Sequence, residues 1–242
     1  LKIENMREQR RENIARKEAE AAKAKPYGMV TVSLGAGFSK IFHDLQVDCI
    51  VDGGQTMNPS IEALSKAIKS VPAGTVFVFP NNGNVILAAQ QAAELSDKKV
   101  VVIPTKNVAM GIAAVVSFQP ELSAEDNAAR MDEAAQRVRT GMITYAVRDS
   151  EYADMHIAEG DIIGLHNGAI EQRADNPHDV ALKLCETIVT PDDGLITVYY
   201  GADTKQEDAE ALGAEIEEMF PDCDVEVHFG GQPLYYYIIA VE

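Results

Sequence analysis

Nothing in the 242 residues approaches the roughly 18 consecutive apolar residues that a membrane-spanning helix needs. The first residues are charged rather than apolar, so no secretory leader is expected. Cysteine is scarce. Cys49, Cys185 and Cys223 lie far apart, are odd in number and form no CxxC pair, which argues against a zinc ribbon or a disulfide frame and favours a reducing cytoplasm. The five histidines show no ligand spacing with cysteines or carboxylates, so no metal site is expected. Basic residues are outnumbered 21 to 38, for a net charge of −17. The deficit is uneven, +3 over residues 1–25 and −20 over the remainder. With no basic stripe to neutralise phosphates, nucleic acid is excluded as a partner. Phosphate fingerprints are missing as well. No GxxxxGK[ST] loop is present, and Gly35-Ala36-Gly37 lacks the third glycine of a dinucleotide turn, since Lys40 holds that place. That turn reads better as one that lets a helix start close to a strand. No GxSxG elbow or readable Ser/His/Asp set occurs.

What is present is rhythm. Residues 1–25 are rich in Ala, Glu, Lys and Arg with a thin apolar stripe, predicting a solvated linker helix ended by Pro26 and Gly28. Leu1 in place of Met adds the expectation that the chain is a piece of something longer, following a missing upstream domain. From Met29 onward, strand, turn and helix repeat four times through Phe118, with strands that are apolar throughout. That pattern predicts a parallel sheet covered by helices on both faces, with all four turns at its carboxyl edge. A boundary follows near Gln119-Pro120. Beyond it, Ser123 is expected to cap a helix, TGMITYAVRDSEY and DIIGLHNGAIEQ to form strands, Asn167-Gly168 to turn a hairpin, and Asn176 to cap the helix from Pro177. The whole reads as α/β with two α/β subdomains, residues 26–120 with the parallel sheet and 121–242 mixed.

The stretch Asp52-Gly53-Gly54-Gln55-Thr56-Met57-Asn58-Pro59-Ser60 couples a strand end, paired glycines and a helix start, which aims backbone N–H groups and a positive helix end at one point. Pro80-Asn81-Asn82-Gly83-Asn84 follows the next strand and belongs on the same edge. The candidate binding residues are therefore Thr56, Asn58, Ser60, Asn81, Asn82 and Asn84. They supply neutral donors but no charged catalytic group, so the edge suits an anion or a partner's backbone rather than proton transfer. Equally, these residues could simply cap helices and shape turns. No catalytic residue is assigned. In the closing GGQPLYYY, strand alternation predicts that Tyr235 and Tyr237 share a face and Tyr236 takes the other, as core or as aromatic anchors of an interface.

Five segments in order, KIENMREQ, DGGQTMNPS, FPNNGNVILAAQQAA, VIPTK…GIAA and GGQPLYYYIIAVE, resemble the C-terminal region of bacterial fatty acid kinase A proteins, members of a dihydroxyacetone-kinase-like, DegV-associated family. The resemblance covers essentially the whole chain. It implies a DegV-like fold of two α/β subdomains. It also implies a missing upstream kinase domain that binds ATP and magnesium, with no cofactor in this fragment, and a role here in docking the fatty-acid-carrying B-type partner. The enzyme as a whole would phosphorylate a fatty acid carboxylate to an acyl phosphate. The DegV-type fatty acid turn Thr-Ser-Gln-Pro-Ser has its counterpart in QTMNPS, with Thr56, Asn58 and Ser60 in the corresponding places. The second turn corresponds to NNGN. Asn stands for hydroxyl residues at several points, and Ala109-Met110 departs from the family's Pro-Gln. Two functions are consistent with this sequence: a non-catalytic docking module, or a domain that itself binds a fatty acid or other small anion. A homodimer is an open alternative.

Overall fold

The computed structural model describes residues 25–53, 58–152 and 155–242. The linker helix expected over residues 1–25 lies outside these residues except for Lys25, which opens a strand. The first sheet has four parallel strands, β1 Lys25–Ser33, β2 Cys49–Asp52, β3 Ala73–Phe79 and β4 Lys99–Val102, in the order β2-β1-β3-β4. Each is followed by a helix: α1 Ala36–Asp44, α2 Ile61–Ser70, α3 Ile86–Glu94 and α4 Val108–Val116. The parallel pairing places all four strand-to-helix turns on one edge, as the pattern required. Helix α4 begins three residues before the expected Gly111, because Asn107 accepts the Met110 N–H and caps it.

A long helix α5, Ala124–Arg137, capped by Ser123, leads to the second sheet. Its strands are β5 Arg139–Tyr145, β8 Ile162–His166, β9 Ala169–Ala174, β10 Leu195–Tyr200, β11 Asp224–Phe229 and β12 Tyr235–Val241, in the order β11-β10-β12-β5-β8-β9. The β10–β11 pair is parallel and the others antiparallel, so the sheet is mixed. Asn167 (φ 51°) and Gly168 (φ 82°) turn the β8–β9 hairpin. The single strand expected over residues 140–152 is two strands. After Tyr145 the chain leaves the sheet and forms a separate hairpin of β6 Ser150–Tyr152 and β7 Met155–Ile157. Helices α6 Pro177–Ile188, capped by Asn176, and α7 Gln206–Met219 complete the chain.

Side-chain alternation sorts these elements into five layers. On β1 and β3, Val30, Val32, Val76 and Val78 pack against Leu64 and Ile68 of α2 and Ala89 of α3. Met29, Phe77 and Phe79 face the other way. They join Phe38 and Phe42 of α1, Met110 of α4 and Met131 of α5, and also Tyr199, Ile238 and Ala240 of the second sheet. The opposite face of the second sheet (Val198, Tyr237, Ile239, Val241) packs against Leu184 of α6 and Leu212 of α7. Helices α1, α4 and α5 thus form a middle layer shared by both sheets. The tyrosine alternation departs from expectation. A register shift between Tyr235 and Tyr237 sends Tyr235 to the shared middle core and both Tyr236 and Tyr237 to the outer one, because a bulge reverses the side-chain phase beyond it.

One backbone interlock joins the halves. The Phe38 N–H at the head of α1 donates to the Gly230 carbonyl (3.0 Å) in the β11–β12 turn. A Cβ on Gly37 would stand 1.7 Å from the Phe229 carbonyl oxygen. Gly37→Ala is therefore expected to cost on the order of 3 kcal/mol by forcing two backbones apart. Gly83→Ala, whose Cβ would meet nothing within 4 Å, is expected to change stability by less than about 1 kcal/mol. Urea unfolding midpoints check both.

Burial pushes the Cys185 thiol up to about 12 from 9.0, and the Tyr199 and Tyr237 phenols up to about 12 from 10.0. The unfolded chain therefore loses these protons first as pH rises. Stability should be full below about pH 9 and decline through pH 12, by on the order of 3 kcal/mol for Tyr199 and by less for Tyr237. Melting temperatures measured from pH 8 to 12 test this, with Tyr199→Phe and Tyr237→Phe each expected to flatten the fall.

Candidate functional site

The carboxyl edge of the first sheet meets β12 across a cavity of about 340 Å³. Its floor is apolar, from Phe38, Met142 and Ile238, and its mouth carries Asn58, Asn82, Asn84, Lys106 and Asn107. Strand ends and helix starts converge here because the sheet is parallel, and the interlock at Gly230 holds the second subdomain against the opening.

The six residues singled out by the sequence have different surroundings. Thr56 lies outside the described residues. Asn58, Asn82 and Asn84 line the cavity together with Asn81. Ser60 is exposed, and its hydroxyl accepts the Ala63 N–H at 3.1 Å as the cap of α2. Asn82 accepts the Asn84 N–H at 2.9 Å in a turn at the head of α3. Asn81 is the most constrained. It sits at φ 54° with 8% exposure. Its Nδ2 donates to the Thr31 hydroxyl and to the Val32 carbonyl, both at 2.8 Å. Its Oδ1 accepts from the Thr105 hydroxyl at 2.8 Å, and that hydroxyl in turn accepts the Asn81 N–H at 3.0 Å. Thr31 and Thr105 are fully buried. This closed set ties β1 to the turns after β3 and β4, so Asn81 builds the edge with its side chain.

Three further contributors escaped the sequence reading. Lys106 at the mouth is the only charged side chain among the described residues that line the cavity. Ser33 and Gln232, 6% and 2% exposed, also line it, and the Ser33 Oγ and Gln232 Oε1 are buried within the wall with no hydrogen-bond partner among the described residues. Gln232 Nε2 donates to the Tyr199 carbonyl at 3.0 Å. Beside the mouth, Leu234 holds a left-handed backbone (φ 69°), its carbonyl accepting from the Thr144 hydroxyl at 2.6 Å. Leu234, Tyr145 and Val147 are 45%, 36% and 73% exposed, and Tyr145 meets Tyr236 edge-on with ring centroids 6.4 Å apart. Among the described residues no group of three His, Cys, Asp or Glu side chains could hold a metal ion, and no helix is long and apolar enough to cross a membrane.

A parallel βα sheet joined through a shared helical layer to a mixed sheet, with a cleft between them, is the DegV architecture. The chain superposes on a DegV family protein from Corynebacterium glutamicum with a TM-score of 0.67 at 16% identity, covering 90% of this chain and 98% of that one. It superposes on the Streptococcus pneumoniae fatty acid kinase B3 protein loaded with linoleic acid at 0.60 and 13%, covering 90% and 99%. A dihydroxyacetone kinase from C. freundii matches at 0.56 and 12%, over 89% of this chain and 48% of that one. The family model for the C-terminal part of fatty acid kinase A-like proteins matches residues 28–242, and the chain belongs to that family. It is 43% identical to protein YloV of Bacillus subtilis (strain 168) and 38% identical to a protein of Staphylococcus aureus (strain USA300). In each case the whole chain aligns to 45% of the relative's length, so the chain spans about half of these relatives.

Asn81→Asp places a carboxylate, which can only accept, against the Val32 carbonyl in a buried site. The expected loss is about 3 kcal/mol at pH 7, shrinking as acid neutralises the new group. Asn84→Ala at the exposed mouth should cost under about 0.5 kcal/mol. Urea titrations at pH 7 and pH 4 measure both.

Proposed function

We propose that the chain is a non-catalytic module of a fatty acid kinase A-like protein that docks an acyl-carrying, DegV-like B-type partner. The phosphotransfer chemistry then belongs to an upstream domain that binds ATP and magnesium. The observation that supports this reading is the cavity at the carboxyl edge, whose apolar wall includes Leu234, 45% exposed, beside a polar mouth. A pocket with an apolar floor and a polar rim is what receives a partner's anchor residue. Membership of the kinase A-like family supports the assignment of the partner. Tethering the docked partner to a kinase domain on the same chain turns their encounter into an intramolecular one, at an effective concentration in the millimolar range. Calorimetry of this chain against a purified, acyl-loaded B-type protein is expected to give a Kd below about 100 μM. No binding at that concentration, weaker than about −5.5 kcal/mol, contradicts the reading.

The cavity itself favours a second reading, in which the module binds a fatty acid or other small anion with Lys106 and the head of α4 facing the charge. Lipid released from an unheated preparation and identified by mass spectrometry supports it, and an empty preparation that takes up no oleate counts against it.

A further inference from the structure

The outer face of the second sheet carries a pocket that neither reading above uses. It has a volume of about 430 Å³ and lies between the heads of α6 and α7, over the start of β12. Tyr237 is 3% exposed, and what it shows opens into this pocket. Its hydroxyl is not sealed from solvent and makes no hydrogen bond to any described residue. Burial, and after it the charge of Asp208, pushes this phenol up to about 12. The phenol is therefore protonated at neutral pH, and the Asp208 carboxylate stands near it without accepting a hydrogen bond from it. Two oxygens thus face one space without bonding to each other.

The donors elsewhere on the wall are already engaged. The Thr204 hydroxyl donates to the Tyr236 carbonyl at 3.1 Å, the Asn176 amide donates to the Asp179 carboxylate at 2.9 Å, and His178 Nε2 meets Glu215 Oε2 at 3.0 Å. No lysine or arginine among the described residues lines the pocket, whereas Asp203 and Asp208 do, both exposed. An anion would gain the head of α7, worth roughly half a unit of positive charge, and would meet two full negative charges. A cation with several N–H donors instead finds acceptors in Tyr237, Thr204, Asp203 and Asp208, with the ring of Tyr236 beside them. We propose that this pocket binds a guanidinium or alkylammonium group whose N–H bonds bridge the Asp208 carboxylate and the Tyr237 oxygen. The chemistry is the same for a free amine and for an arginine or lysine side chain of a further protein. The site is independent of the docking reading, because Tyr235 and Ile238 line the cleft from the opposite face of the sheet.

The test is an NMR titration of the whole chain and its variants with agmatine, each variant first shown to melt as the parent does. Agmatine is expected to saturate the parent with a Kd under about 1 mM. Asp208→Asn should weaken it at least about fivefold, as expected of a charge-assisted hydrogen bond, and Tyr237→Phe by roughly twofold to tenfold. Glu94→Gln, which removes a charge from the exposed surface of α3, should leave it within about twofold. Should Tyr237→Phe melt early, Asp203→Asn at the exposed wall takes its place, with a loss of roughly twofold to fivefold expected. Nα-acetyl-arginine amide binding as tightly as agmatine assigns the site to a protein side chain, and agmatine binding alone assigns it to a free amine; both uphold the cation site. No saturable shift at about 10 mM agmatine, equal binding by Asp208→Asn and the parent, or butyrate binding as tightly as agmatine overturns it.

Discussion

Everything at the carboxyl edge depends on how the Asn81 side chain is held. Its amide is buried among Thr31, Val32 and Thr105 and engages all of them, while its backbone takes a left-handed conformation. Asn tolerates that conformation better than most residues because its short polar side chain bonds locally. An unmatched amide in that position would be costly, so the closed set fixes the relative height of β1 and the turns after β3 and β4. The heads of α3 and α4 then face the same space, and the cavity mouth follows from that alignment.

A second constraint gives the mouth its far wall. The head of α1 is closed by the Gly230 carbonyl, so backbone from the second subdomain occupies the position where a glycine turn in a dinucleotide fold would receive phosphate. The same contact seats Gln232 and Leu234 over the opening. What results is a DegV-type cleft whose polar groups are partly engaged in holding the fold together. Ser60 and Asn107 cap helices and Asn81 ties strands, which leaves Lys106 and the asparagines Asn58, Asn82 and Asn84 at the mouth of the cleft.

The layered α/β plan was legible because it rests on short-range signals. Apolar runs ending in glycine or asparagine turns marked the four parallel strands, and Ser60, Ser123 and Asn176 marked helix starts through spacing alone. The Asn167-Gly168 hairpin followed from its dipeptide. The rest depends on partners remote in sequence. Asn81 looked like a surface donor because its partners lie 50 and 24 residues away. The Gly35-Ala36-Gly37 turn gave no hint that it docks on Gly230. Lys106 was overlooked because the edge was judged by its asparagines, although a lysine immediately before the helix cap Asn107 stands at the same edge. The tyrosine phase failed at Tyr236 because a bulge leaves no mark in an otherwise regular strand.

The function proposed here is that of a module on a DegV-type fold that presents the polar mouth of this cleft to another protein. Hydrogen–deuterium exchange of the chain with and without a purified DegV-type fatty-acid-binding partner tests that claim most directly. The account predicts slowed exchange confined to residues 82–85, 106–110 and 229–236. Protection on α6 and α7 instead, or no change anywhere at saturating partner, would contradict it.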